Sequence, residues 1–173
     1  KCDTNGLLKT LWGKDASVSG IWKNNVSAST GLKDTVNAGD NVSVFTYKDT
    51  KNWSDKFTKF DKNEYKVTAG EDVNMSLEAA GFDDKWQTVW KPAGSVTISL
   101  LNGRVLGTTD AEGNAKISGL AQGTHKLVAS TADGLTVPAV ATIVVKDPQA
   151  AQDKVSMRVA DPKGKTYLPK TSY

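Results

Sequence analysis

Apolar and polar residues alternate along most of the chain. Val42 and Val44 alternate ahead of Phe45 and Tyr47, after the turn signal Asn37-Ala38-Gly39-Asp40. Val73, Met75 and Leu77 keep the same period of two after Ala69-Gly70. Val96, Ile98 and Leu100 do so too, and Leu101-Asn102-Gly103-Arg104 then supplies the Asn-Gly pair of a tight hairpin. Asp110-Ala111-Glu112-Gly113 predicts a turn into a strand over 115–117. A further strand over 124–130 reverses at Ala132-Asp133-Gly134 and continues as one over 136–145. Side chains of a strand alternate between its two faces, so this period buries one face and wets the other. Turn signals about every 8–12 residues are the mark of a small antiparallel sandwich. Two places carry helical spacing instead. Leu7, Leu8, Leu11 and Trp12 predict a short helix closed by Gly13 as its C′ residue. Trp53, Phe57 and Phe60 predict a helical turn.

Composition narrows the classes. The chain has 173 residues, 38% hydrophobic and 24% charged, which is globular composition. No apolar run approaches the roughly 20 residues of a membrane-spanning helix. One cysteine, Cys2, cannot close an internal disulfide, and one histidine, His125, cannot build a His/Cys zinc cage. A net charge of +3 is too slight and dispersed to indicate nucleic acid.

Texture divides the chain in three. Residues 1–63 carry ten Lys against seven Asp and no Glu. Residues 64–148 carry seven Lys and Arg against ten Asp and Glu, with the strongest alternation. Residues 149–173 are net positive again and open on a polar stretch after Pro148, which has no N–H to donate to a strand. The absence of an initiator Met and of a leader predicts a processed form or a piece of a longer chain with neighbouring modules.

The run from Gly107 through Thr108-Thr109-Asp110, Gly113, Gly119-Leu120 and Gly123-Thr124 to Leu127 resembles the middle of a bacterial immunoglobulin-like surface repeat, over about 64–146. Thr and Asp there satisfy turn backbone groups, and the glycines supply positive φ. Trp22-Lys23-Asn24-Asn25-Val26 and Gly39-Asp40 through Tyr47 resemble the later part of a transcobalamin-like β-grasp module. Val155 through Val159, Gly164, Leu168 and Pro169 resemble its opening hairpin. Gram-positive surface proteins often alternate such modules. The resemblance implies a mainly β chain: an antiparallel immunoglobulin-like sandwich at 64–148, a small α+β, β-grasp-like segment at 1–63, and a linker with opening strands of a following or partner module at 149–173. It also implies an extracellular or cell-surface location. Relatives of the cobalamin carriers bind a corrinoid, but no motif here carries that over.

The candidate chemistry is sparse. Five Trp residues suggest carbohydrate stacking, with Trp53, Trp86 and Trp90 the candidates; the alternative is that they pack in the core or cover its edge. Burying a large apolar side chain is worth about 1.5–3 kcal/mol, a strong pull in a small domain. Asp83-Asp84 and Asp110, Glu112 and Asn114 are the carboxylate clusters, and neither fits a calcium loop. No internal Lys–Asn isopeptide bond is expected, because 136–145 holds no Asn or Asp. Asn25, Asn41, Asn52 and Asn74 each begin an N-x-S sequon, which a Ser-rich polar composition also produces.

No catalytic, cofactor or metal residues are assigned, and the chain reads as non-enzymatic. The expected role is a bacterial surface spacer or adhesive repeat whose partners are neighbouring copies or modules. Val155, Met157 and Val159 form an alternating strand that would add to the head of the next copy and build a filament. The rival role is capture of a glycan, another host-surface ligand or a corrinoid. A binding module would expose at least two aromatic residues in one groove.

Overall fold

A computed structural model of the chain describes residues 1–28, 30–85, 87–148, 159–160 and 166–167. In chain order its strands are β1 (Thr10–Leu11), β2 (Lys14–Asp15), β3 (Ser19–Lys23), β4 (Val26–Ser27), β5 (Val42–Thr46), β6 (Lys56–Phe60), β7 (Glu64–Thr68), β8 (Val73–Phe82) and β9 (Thr88–Pro92). They continue with β10 (Thr97–Leu100), β11 (Val105–Thr108), β12 (Asn114–Ile117), β13 (Gly123–Ser130), β14 (Thr136–Val137), β15 (Ala139–Lys146), β16 (Val159–Ala160) and β17 (Thr166–Tyr167). The helical content among the described residues is a single 3-10 turn at Gly31–Lys33.

Two sheets make the sandwich. One has the order β11-β10-β13-β15-β7; the other runs β12-β8-β6-β14, with β9 also paired to β8. The opening strands β6 and β7 thus join different sheets. So do β14 and β15, because Pro138 interrupts what the alternation predicts as one strand over 136–145. Both of these first-to-last pairings, β6 with β14 and β7 with β15, are parallel. The division of strands between the sheets makes the fold a mainly β, immunoglobulin-like sandwich. Strand β6 lies within the 1–63 segment, yet it pairs with β8 and β14 of the sandwich.

The core follows the alternation. Val73, Met75, Leu77 and Ala79 point inward from β8, and Ala139, Ala141, Ile143 and Val145 from β15. Leu77, Ile98, Ile117, Leu127 and Ile143 are the largest fully buried side chains. Buried polar groups are paired, as burial requires. The Thr109 hydroxyl donates to the Ala93 carbonyl at 2.6 Å and accepts the Val96 N–H at 3.0 Å. The buried Tyr65 donates its hydroxyl to Asp61 at 2.6 Å, and burial together with that bond pushes its pKa well above the ordinary phenol value.

Gly113 sits at a three-way junction. Strand β8 pairs with β12 over its first half and with β9 over its second, and Leu77 marks the changeover. Leu77 N–H donates to the Gly113 carbonyl at 2.8 Å, and Ala93 N–H donates to the Leu77 carbonyl at 2.9 Å.

Neither expected helix forms. Leu8 bridges to Cys2, and β1 and β2 close a hairpin around Trp12-Gly13, with φ of 48° and 79°. Two successive positive φ values are the requirement of a two-residue type I′ turn, so Gly13 ends a strand rather than a helix. Asn24-Asn25, at 50° and 64°, makes the same turn between β3 and β4. Trp53 lies in a turn, and Phe57 and Phe60 lie on β6, facing opposite sides. Phe60 enters the sandwich core.

Candidate functional site

The N-terminal sheet, ordered β4-β3-β5, rests against the outer face of the β12-β8-β6 sheet through aromatic side chains. On β6, Thr58 and Phe60 point into the core, so Phe57 and Lys59 point outward. On β8 the same parity sends Ala80 and Phe82 outward, and Ala80 stands opposite Trp90 of β9. On β3, Gly20 and Trp22 face them from above. Trp22 stacks on Phe57 with centroids 4.4 Å apart and planes 7° from parallel. Phe45 lies 6.2 Å from Phe57 in a further stacked arrangement, and Trp90 meets both Trp22 and Phe57 edge-on. Gly20 pairs with Phe45, whose ring fills the space a Cβ would need.

One end of this seam opens into a cleft of about 440 Å³, within the usual size of small-molecule pockets. Trp22 and Phe57 form its buried floor, and Phe45, Tyr47, Trp53, Ala80 and Phe82 line its sides. Asp55 is the carboxylate on its wall. Trp53 is 59% exposed and stands edge-on to Tyr47 at 5.3 Å. Burial, with the negative charge of Asp55 beside it, raises the Tyr47 pKa above the ordinary phenol value.

The loop that presents Trp53 is tied by two aspartates. Asp49 accepts the Ser54 hydroxyl at 2.6 Å and the N–H groups of Asn52 and Lys51 at 3.0 and 3.1 Å. Asp55 accepts the N–H groups of Lys48 and Asp49 at 2.8 and 2.7 Å. These bonds hold Trp53 at φ 54°, a region costly for a side chain of its size. The Ser54 hydroxyl and then the Asn52 N–H lower the Asp49 pKa to about 2. A carboxylate with a lowered folded pKa contributes stability above its unfolded value, near 3.9, that is lost as pH falls through the folded one. The Trp53 emission, isolated by difference against Trp53→Phe, is therefore expected to change with a midpoint near pH 2. A midpoint near 4 would mean that Asp49 does not hold the turn.

The sequence candidates separate. Trp53 lines the cleft and Trp90 packs under its floor, while Trp86 lies outside the described residues. Val155 and Met157 also lie outside them, and Val159 opens β16, paired with Tyr167 of β17. Lys59 Nζ sits 4.1 Å from the centre of the Trp90 ring and 3.2 Å from Glu78. His125 Nε2 is 2.7 Å from the Ala121 carbonyl oxygen, and Cys2 is exposed. Sequence reasoning did not pick out Phe45, Tyr47 or Phe82 as cleft residues. The signal was there in part: Phe45 lies on β5 and Tyr47 follows two residues later, just past the strand's end, with the two rings in edge-on contact at 5.2 Å.

No family model matches the chain, and no curated protein matches it. Among solved structures, one described under the structural basis for Dscam isoform specificity aligns over 53% of this chain and 21% of its own, at 15% identity and a TM-score of 0.32. The N-terminal four Ig domains of Dscam1 isoform 9.44 align over 53% and 20%, at 16% identity and a TM-score of 0.29. The chain thus spans only about a fifth of either structure. The immunoglobulin-like character of the fold lies in its sheet topology. No helix among the described residues is long and apolar enough to cross a membrane.

Proposed function

We propose that the chain is a non-enzymatic, extracellular bacterial surface module, a spacer or adhesive repeat that links neighbouring modules or copies. The observation behind this reading is the aromatic seam. A sheet that could have hung from a flexible linker is stacked through Trp22, Phe57 and Phe45 onto the sandwich. A stiff two-part body suits a spacer better than loosely tethered domains do. Head-to-tail assembly is the finer form of the proposal. Strand β5 is the outer strand of its sheet, and an open strand edge accepts another strand through main-chain hydrogen bonds. The segment with Val155, Met157 and Val159 would supply that strand. The net positive charge of both head and tail works against docking.

Light scattering and negative-stain microscopy on the whole chain and on a version ending at residue 150 test the assembly. Filaments from the whole chain alone are the expected result. Monomers from both overturn assembly and leave the spacer reading to stand within a longer protein.

A second reading, ligand capture, is favoured by one observation: Trp53, Tyr47 and Phe82 share a single open cleft. The corrinoid form of that reading gains nothing from a cleft of about 440 Å³, small for so large a macrocycle. The glycan form fits the size, and Trp53 is its stacking platform.

A further inference from the structure

We propose that the aromatic cleft binds an organic cation, a quaternary ammonium group of the choline type. The proposal rests on the ligand-capture reading and names its chemistry.

Charge is the first ground. Asp55 is the charged residue on the wall, and no Lys or Arg among the described residues lines the cleft. The two N–H groups that Asp55 accepts fix its carboxylate in place without cancelling its charge. The Lys48 ammonium, on the same loop, is turned away to the Asp133 carbonyl.

The rings are the second ground. Trp22, Phe45, Tyr47, Trp53, Phe57 and Phe82 surround the space with π systems, whose faces carry negative potential. The cluster already accepts one cation: Lys59 sits over Trp90, which packs against both floor residues. That ammonium approaches from the chain itself, whereas the open side at Trp53 faces solvent.

Polar capacity separates this ligand class from a sugar. Among the described residues, the polar side-chain groups on the walls beyond the indole N–H groups are the Tyr47 hydroxyl and the Asp55 carboxylate, and both Asp55 oxygens already accept backbone N–H groups. A pyranose would surrender the hydration of several hydroxyls with few partners in return, and unpaired polar groups are costly. A quaternary ammonium has no N–H to leave unpaired. Its methyl groups lie against ring faces while its charge is met by the carboxylate and the π systems.

Choline is titrated into the full chain and followed by tryptophan fluorescence and by amide and indole NMR spectra. Parallel titrations use the uncharged isostere, in which a tert-butyl group replaces the trimethylammonium, and oligomers of glucose and of N-acetylglucosamine. The expected result is saturable shifts confined to the cleft, with choline favoured over its isostere about fivefold or more. Trp53→Ala is expected to weaken choline by about fivefold, a loss matching one exposed cation–π contact. Trp53 is largely exposed, so this variant tests the site without emptying the core. Trp12→Ala, on the separate β1–β2 turn, is expected to bind as the parent does.

Equal binding of choline and its isostere overturns the cation assignment but keeps ligand capture at an apolar site. Shifts from an oligosaccharide alone overturn it in favour of the glycan. No cleft shifts with any probe overturns both.

Discussion

Phe57→Ala is expected to cost about 3–5 kcal/mol of folding stability, the range for emptying a large aromatic site. Phe57 is 8% exposed and is the ring that Trp22, Phe45 and Trp90 all touch. Its removal takes away buried area and also three ring contacts, each worth about 0.5–1.5 kcal/mol beyond that area. Phe57 points out of the sandwich, so the loss is expected to be uneven. Amide exchange in β3 and β5 should accelerate well beyond that in β13 and β15. Urea unfolding followed by tryptophan fluorescence gives the total, and native-state hydrogen exchange gives its distribution. A loss under about 1 kcal/mol, or equal acceleration in all four strands, would overturn the view that this ring joins the two parts.

Gly113→Ala is expected to destabilise by about 3 kcal/mol or more, although it adds one methyl group. Gly113 has φ 79°, where an L side chain is strained. A Cβ there would lie 2.5 Å from the Leu77 carbonyl oxygen and 3.0 Å from the Ala93 N. Those atoms are the two ends of the backbone hydrogen bond at the point where β8 changes neighbours, so no flexible side chain can move aside. Gly103→Ala is the control: its φ is 88°, but a Cβ would meet nothing within 4 Å. The control should cost only the backbone strain of about 1–2 kcal/mol. Equal losses for the two variants, measured by urea denaturation, would show that the junction contributes nothing beyond its φ.

The sandwich was legible in the sequence because most of its long strands bury one face. Val73, Met75 and Leu77 reveal β8 by period two alone, and the Asn102-Gly103 turn marks the hairpin of β10 and β11. The helical readings failed for reasons that periodicity cannot see. Phe57 and Phe60 are three apart and both buried because β6 is covered on both faces, by the core and by the N-terminal sheet. Their spacing therefore mimics a helix. Trp12 and Trp53 stand at positive φ, held there by a hairpin and by an Asp-capped turn, and local preference would not place Trp in either. The cleft was partly legible. Trp53 was a candidate, but the approach of β5 and the end of β8 toward it is a tertiary event.

The parallel pairing of β7 with β15 has a mechanical consequence. Its hydrogen bonds run from Thr142 N–H and the Asn63 carbonyl to Ala69 N–H and the Lys146 carbonyl, with β7 leading in and β15 leading out. Tension on the two ends of the sandwich drags these strands lengthwise past each other. The pair β6 and β14 is oriented the same way. Bonds arranged like this bear the load together and rupture together, whereas a hairpin pulled at its open end peels one rung at a time. The clasp between first and last strands is thus oriented to resist stretching along the chain, the load that a tethered link meets in flow.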